Sequence, residues 1–243
     1  GTMFRWTEES IGWFQRAADR TGYYRRTAGH ILDFCGPLES MADLGCGLAP
    51  LAPHMSPPLK TLRAVDISSL VLQAIPEIPG MRIQREEADW QTWEPPEKPD
   101  LVYISYVGGV RERIGRLLGV SGRALAILAP AGGKEDAFQV SQWMDVEPSG
   151  PGRETAEHIG ESLRTGGWDF REIPISEEFG QPFRDLREFY RFMDHYYGLP
   201  EEKIPAGYLK EVLKEDPEGY YLPYRKESVL FLLDRHVQPE NKE

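Results

Sequence analysis

Only two cysteines, Cys35 and Cys46, occur among the 243 residues, too few for a disulfide framework or the usual cysteine-rich zinc cluster. Long apolar runs are also missing: nothing approaches the roughly 18 consecutive apolar residues that would cross a bilayer. Residues 1–5 lack the apolar segment of a secretion signal. Positive charge is scarce, with 28 Lys and Arg against 39 Asp and Glu and a formal net charge of −11, which argues against a surface built to collect nucleic-acid phosphates. Repeats and low-complexity stretches are absent. These gaps leave a cytoplasmic protein with no metal, membrane or nucleic-acid partner as the expectation. What is present fits that picture: 40% hydrophobic and 11% aromatic residues are too many for a disordered chain, and the length suits one large domain or one domain carrying an insertion.

Short apolar or β-branched runs alternate with helical-period stretches, the pattern of an α/β, doubly wound, mostly parallel sheet with crossover helices. The strands expected are Met41–Leu44, Leu62–Val65, Met81–Ile83, Leu101–Ile104, Ala124–Leu128, Phe170–Ile175 and Val229–Leu233. Ahead of them, Thr7 followed by Glu8 and Glu9 reads as a helix N-terminus, a hydroxyl cap with acids in the positive first turn. Tyr24, Ala28, Ile31 and Cys35 then share one helical face, closed by Gly36-Pro37. Gly132-Gly133 and the Pro148–Gly152 run mark a loop from about Ala131 to Gly152. The longer break falls between the last two strands. There Phe183, Leu186, Tyr190, Met193 and Tyr197 form a helical stripe, broadened by Phe189, Phe192 and Tyr196, and Tyr208, Leu209, Val212 and Leu213 suggest another helix. The expected organisation is therefore N-terminal helices capping the site over 1–40, an α/β core over 41–175, a helical, aromatic-rich insertion over 176–226, and the last strand and tail over 227–243.

The segment Met41-Ala-Asp-Leu-Gly-Cys-Gly-Leu-Ala-Pro50 reads as a buried strand, a turn with glycines at 45 and 47, and a helix starting at Pro50. Glycines let a backbone approach a ligand where a Cβ would collide, although many strand-to-helix turns use glycine for geometry alone. Asp66, at the tip of the next strand and 23 positions after Asp43, can accept both ribose hydroxyls of an adenosine. Glu86-Glu87-Ala88-Asp89-Trp90 follows the third strand; a carboxylate beside an aromatic suits an adenine amino group and base face, or the run is a solvated acidic face with Trp90 or Trp93 in the core. Ser105 and Tyr106 end the fourth strand. Ligands of open α/β sheets sit outside the carboxyl ends of the strands, so these four segments converge on one crevice.

The ordered series Asp43-Leu-Gly-Cys-Gly, Val65-Asp66-Ile67, Ala88-Asp89-Trp90 and Asp100-Leu-Val-Tyr-Ile-Ser105 resembles the motifs of class I S-adenosylmethionine-dependent methyltransferases, closely over about residues 40–130 and by element order outside them. The resemblance implies a Rossmann-like, seven-stranded sheet whose last strand is antiparallel, S-adenosylmethionine as cofactor, and methyl transfer by in-line displacement. Position by position, it implies that Gly45, Cys46 and Gly47 admit the methionine part beside Asp43. Asp66 would hold the ribose, Asp89 the adenine amino group, and Ile67 and Trp90 the base, with Ser105 and Tyr106 bordering the transfer crevice. A tyrosine ahead of the first motif, often near the methionine end in the family, matches Tyr23 or Tyr24. The chain departs from the family where Ala49 replaces a third glycine. It also lacks the Asn/Asp-Pro-Pro-aromatic signature of amide and base methylation, ending its fourth strand in Ser105-Tyr106-Val107-Gly108.

An acidic chain with an aromatic insertion in place of a basic domain favours a small-molecule acceptor. Tyr106, His195 and Tyr24 are the candidate general bases, needed only if the nucleophile arrives protonated. The insertion is either a lid walling the crevice or ordinary edge packing. Cys46 has no base partner in the sequence and reads as a turn residue. Two other readings remain: a non-catalytic or regulatory S-adenosylmethionine-binding protein on the same scaffold, and a nicotinamide dehydrogenase, which requires a Gly-x-Gly-x-x-Gly turn that Pro50 interrupts.

Overall fold

The computed structural model describes residues 5–132, 137–146 and 154–239. The chain opens with α1 (Glu8–Arg20) and α2 (Tyr23–Cys35). Thr7 caps α1 as expected: its hydroxyl accepts from the Ser10 N–H at 3.0 Å, and the Ser10 hydroxyl accepts from the Thr7 N–H at 2.9 Å. In α2 the expected face is buried at Tyr24, Ala28 and Ile31 and half-buried at Cys35. Gly36, at φ 70°, stops the helix and returns its N–H to Leu32.

The core strands follow: β1 (Ser40–Leu44), β2 (Thr61–Asp66), β3 (Arg82–Glu87), β4 (Leu101–Ser105), β5 (Ala124–Pro130) and β6 (Arg171–Glu178), interleaved with α3 (Ser69–Ala74), α4 (Ile114–Gly119), α5 (Val140–Trp143) and α6 (Ala156–Thr165). The expected 131–152 loop holds α5 and a tight turn over Ala137–Gln139; its residues 133–136 and 147–152 lie outside the described residues. After β6 come β7 (Gln181–Phe183), α7 (Leu186–Tyr197), α8 (Ala206–Glu211), β8 (Lys214–Asp216), β9 (Gly219–Leu222) and finally β10 (Arg225–Asp234). The seven-stranded sheet has the order β3-β2-β1-β4-β5-β10-β6, with only β10 antiparallel to its neighbours. This is the expected fold class, and the reversed strand separates it from the dinucleotide fold, whose six strands run in the order 3-2-1-4-5-6.

Alternate strand residues feed two cores. Met41, Leu62, Leu101, Ala126 and Leu230 pack on one face under α2. Ala42, Val65, Val102, Leu125 and Phe231 pack on the other under α4 and α6. Burying a large aliphatic side chain contributes roughly 1.5–3 kcal/mol, so these layers fix the strand tips above them. The edge strands overrun their expected bounds: β3 extends to Glu87 and β6 to Glu178. Edges tolerate charged residues, so hydropathy alone stopped short in both places.

Two expectations need correction. No α-helix starts at Pro50; a single 3-10 turn, Ala52–His54, follows the glycine turn. Prolines at 50, 53, 57 and 58 remove N–H donors and clash with the preceding turn, which an α-helix does not survive. The insertion is also not purely helical. Its β7, β9 and β8 make a separate antiparallel sheet, and Phe183 belongs to β7. The buried face of α7 is Glu188, Phe189, Phe192 and Met193, with Leu186, Tyr190 and Tyr197 only partly covered. Phe183, Phe189, Phe192, Tyr208 and Trp13 of α1 pack on one another, so the aromatic stripe serves this unit's own core. Among the described residues, no helix is long and apolar enough to cross a membrane.

Candidate functional site

The turn after β1 takes left-handed backbone at every second residue: Gly45 (φ 65°), Gly47 (φ 53°) and Ala49 (φ 50°). Ala49 thus keeps the conformation of a glycine without being one, at a cost of roughly 1–2 kcal/mol. The turn is anchored where the Cys46 N–H donates to Val65 O at 3.0 Å and the Ala49 N–H to Cys46 O at 2.9 Å. A Cβ on Gly45 would lie 3.0 Å from Val107 Cγ1 and 3.9 Å from Trp90 Cδ1; one on Gly47 would lie 3.1 Å from Trp6 Cζ2. Three side chains therefore cover the bare backbone, and a ligand reaching it must displace them or stack on them.

Asp66 ties this turn to β2. Its Oδ2 accepts from the Gly47 N–H and its Oδ1 from the Ser68 N–H, both at 2.9 Å, so the carboxylate is oriented by backbone alone. The Ala88 N–H donates to Asp66 O at 3.1 Å, which joins the tips of β2 and β3 and puts Asp66 and Asp89 on the same edge. Asp89 is exposed and accepts from the Gln91 N–H at 2.9 Å. Ile67 is 50% exposed, an apolar side chain left open at the tip of β2. Trp90 is half-buried against the turn, with Arg113 over its ring. Trp93, by contrast, is buried in the core and donates to Glu86 at 3.3 Å.

Asp43 lies under the turn, 1% exposed, and its Oδ2 has no hydrogen-bond partner among the described residues. Burial, reinforced by the nearby charge of Asp66, holds its carboxyl well above the usual range. Tyr103 pairs with it across β1 and β4. Tyr24 is kept neutral, its pKa raised chiefly by burial and further by Tyr103 and Asp43. Burial likewise pushes the Cys46 thiol up, with Asp43 and Asp66 adding to it, so this cysteine is not an activated nucleophile.

Beyond β4 the edge changes character. Tyr106 has left-handed backbone (φ 57°), a strained state for a bulky residue. Its hydroxyl meets Ser228 Oγ at 2.5 Å, and the Tyr23 hydroxyl meets the same oxygen at 2.7 Å. The Lys226 ammonium stands over the Tyr106 ring, 4.2 Å from its centroid. The following loop is pinned by Glu154, whose carboxylate accepts from the backbone N–H groups of Gly109, Val110 and Arg111. His195 is exposed on α7, and its ring contacts are Trp13 and Tyr196; it does not join the strand-tip group.

Asp43, the 45–49 turn, Asp66, Ile67, Asp89, Trp90, Ser105 and Tyr106 thus share one edge of the sheet. Sequence reasoning missed Trp6, Val107, Ser228 and Lys226. Val107 alone had a signal, standing next to Tyr106 in the segment already singled out; the others arrive from distant elements. Two surface clefts, about 310 Å3 lined by Phe138, Gln139, Glu178, Pro223, Tyr224 and Arg225, and about 640 Å3 beside α7, include none of the strand-tip residues.

No protein-family model and no curated protein matches the chain. Solved structures do. An inferred methyltransferase from Bacillus halodurans aligns with a TM-score of 0.53 at 12% identity, covering 86% of this chain and 99% of its own. An inferred type II methyltransferase from Anaeromyxobacter dehalogenans aligns with a TM-score of 0.51 at 16% identity, covering 89% and 98%. At such identities the likeness establishes the fold, and this chain has the Rossmann-like fold of class I methyltransferases.

Proposed function

We propose that the chain is an S-adenosylmethionine-dependent methyltransferase acting on a small-molecule acceptor. The observation that supports it best is Asp66, a carboxylate aimed by two backbone N–H groups at the tip of β2, beside a glycine turn and above an unpaired, buried Asp43 oxygen. A carboxylate has about four acceptor positions, so Asp66 keeps capacity for both ribose hydroxyls. Asp89 would hold the adenine amino group, with Ile67 and Trp90 flanking the base. Asp43 would hold the cationic amino group of the methionine part, whose charge would favour the ionised carboxyl. Bound S-adenosylmethionine supplies a methyl group activated by a sulfonium.

The chain's own contribution is to position and desolvate. Trp6 and Val107 exclude water from the turn, while Ser105 and Tyr106 border the acceptor. Residues 176–226 close the acceptor side and contribute Phe179. Tyr24 is too firmly neutral to serve as base, and His195 stands elsewhere. An acceptor lying against Ser105 and Tyr106 would receive the methyl group and lose its proton to solvent.

A second reading, a non-catalytic S-adenosylmethionine-binding protein, draws support from the covered glycine turn and the missing helix after β1. Incubation with methyl-labelled S-adenosylmethionine and a panel of phenols, amines, thiols and carboxylic acids separates the two. Label transfer that falls at least about tenfold in Asp66→Ala supports catalysis; binding without transfer to any panel member supports the second reading.

A further inference from the structure

The loop between β4 and α4 carries Val107 to the glycine turn, its Cγ1 only 3.0 Å from where a Cβ on Gly45 would stand. The loop is irregular, with left-handed backbone at Tyr106 (φ 57°) and Gly109 (φ 87°). The N–H groups of Gly109, Val110 and Arg111 belong to no strand or helix and must find partners elsewhere. All three find the same one. The Glu154 carboxylate accepts from Gly109 on Oε2, from Arg111 on Oε1 at 3.0 Å, and from Val110 on both, at 3.0 and 3.1 Å. Successive N–H groups converging in this way form a nest, a concavity suited to an anion. Both oxygens are needed as acceptors, whereas an amide offers one and would turn its own N–H groups toward the others.

Glu154 stands on a firm base. Thr155 next to it caps α6, and Ala156, Ile159 and Leu163 of that helix are buried in the core. On its other side the loop is held by Arg113, which donates to Gly109 O at 2.8 Å and to Gln91 Oε1 at 3.1 Å. Gly109 is thus gripped by both its N–H and its carbonyl, two residues from Val107. The Arg113 grip ties the loop to the segment bearing Asp89 and Trp90. The Glu154 grip ties it to a helix outside the strand-tip group, so the position of Val107 depends on a residue that touches no part of the glycine turn.

Resting on the methyltransferase reading, we infer that Glu154 is a positioning residue for the cofactor: by filling the nest at residues 109–111 it keeps Val107 at the glycine turn, where it walls in a bound adenosyl ligand. The test loads the whole chain with radiolabelled S-adenosylhomocysteine and follows release into excess unlabelled ligand by rapid filtration. Release should be at least about fivefold faster from Glu154→Gln and Glu154→Ala than from wild type. In Glu154→Ala the nest is open, so sodium acetate should slow release toward the wild-type rate, while sodium chloride at the same concentration should not. Wild type and Glu154→Gln, whose side chains fill the nest, should respond to neither salt. Val107→Ala keeps the pin and trims the wall; it should also speed release, without response to acetate. Adding Glu154→Gln to it should then accelerate release less than Glu154→Gln does alone. Equal release from wild type and Glu154→Gln overturns the inference. So does faster release from Glu154→Ala that acetate cannot slow, or full additivity with Val107→Ala, because Glu154 would then act on the fold at large. Should Glu154→Ala not fold, the Glu154→Gln and Val107→Ala comparison decides alone. Failure of wild type to bind S-adenosylhomocysteine at all would instead overturn the underlying methyltransferase reading.

Discussion

The two ends of the strand-tip edge are built by different means. At β1–β3 the candidate groups are carboxylates at strand tips, set by main-chain geometry: Asp66 by the N–H groups of Gly47 and Ser68, and Asp89 by that of Gln91. At β4 and β10 they are side chains set by other side chains, with Tyr23, Tyr106, Phe179, Lys226 and Ser228 meeting from four separate stretches of chain. A backbone-set site is robust to neighbouring substitutions and sensitive to its own carboxylates. A side-chain mesh should be cooperative, losing more than one contact for each member removed.

The largest expected effect separates the two ends outright. Asp66→Ala removes charge-assisted hydrogen bonds worth roughly 1.5–3 kcal/mol each, and should weaken S-adenosylhomocysteine at least about tenfold by calorimetry. Comparable weakening in Ser228→Ala would mean the ends are not independent, and unchanged affinity in Asp66→Ala would show that this carboxylate holds no ligand. Next, Ser228→Ala takes away the oxygen shared by Tyr23 and Tyr106. With a buried Tyr23 hydroxyl left unpaired, stability should fall by about 1–3 kcal/mol in urea unfolding, with S-adenosylhomocysteine affinity within about twofold; a loss under about 0.5 kcal/mol would show that the mesh is not cooperative.

Asp43→Asn sharpens the comparison from beneath the turn. The native carboxyl is held above 3.8 by burial and Asp66, so the folded chain keeps a proton that the unfolded chain has lost. Stability therefore falls as pH rises from about 4 toward neutrality. The asparagine variant should flatten that fall, seen as a smaller difference in urea midpoint between about pH 4 and pH 7, while weakening the adenosyl ligand. An unchanged pH dependence would show that Asp43 is not the group responsible. The smallest effect is Ala49→Gly. Relief of left-handed strain, roughly 1–2 kcal/mol, is partly offset by the greater freedom of glycine in the unfolded chain, about 0.4–1 kcal/mol. Thermal unfolding should rise by about 2 °C, and a fall would show that Ala49 fits its turn without strain.

The same contrast explains what could be read in advance. Strand tips follow from local pattern, so Asp43, Gly45, Gly47, Asp66 and Asp89 could be named from an apolar run, a glycine pair and acids at strand ends. Charged edge strands were legible only in part, because Arg82–Glu87 lacks an apolar face of its own. Pro50 suited a first helical position, but Pro53, Pro57 and Pro58 overruled it. Lys226 over Tyr106, and Trp6 over Gly47, depend on tertiary approach between residues more than 40 positions apart, for which no short-range pattern exists. The small sheet of β7, β8 and β9 escaped for a different reason: strands of three or four residues are too short to show a period.

The central claim is that the tips of β1, β2 and β3 hold one adenosyl group. Calorimetric titration of S-adenosylhomocysteine into the folded wild-type chain tests it most directly. Saturable one-to-one binding with a Kd of about 100 μM or tighter, accompanied by a change in tryptophan fluorescence that is reduced in Trp6→Phe, is the predicted result. A chain that remains folded, gives no binding heat at about millimolar ligand and shows no spectral change would contradict it.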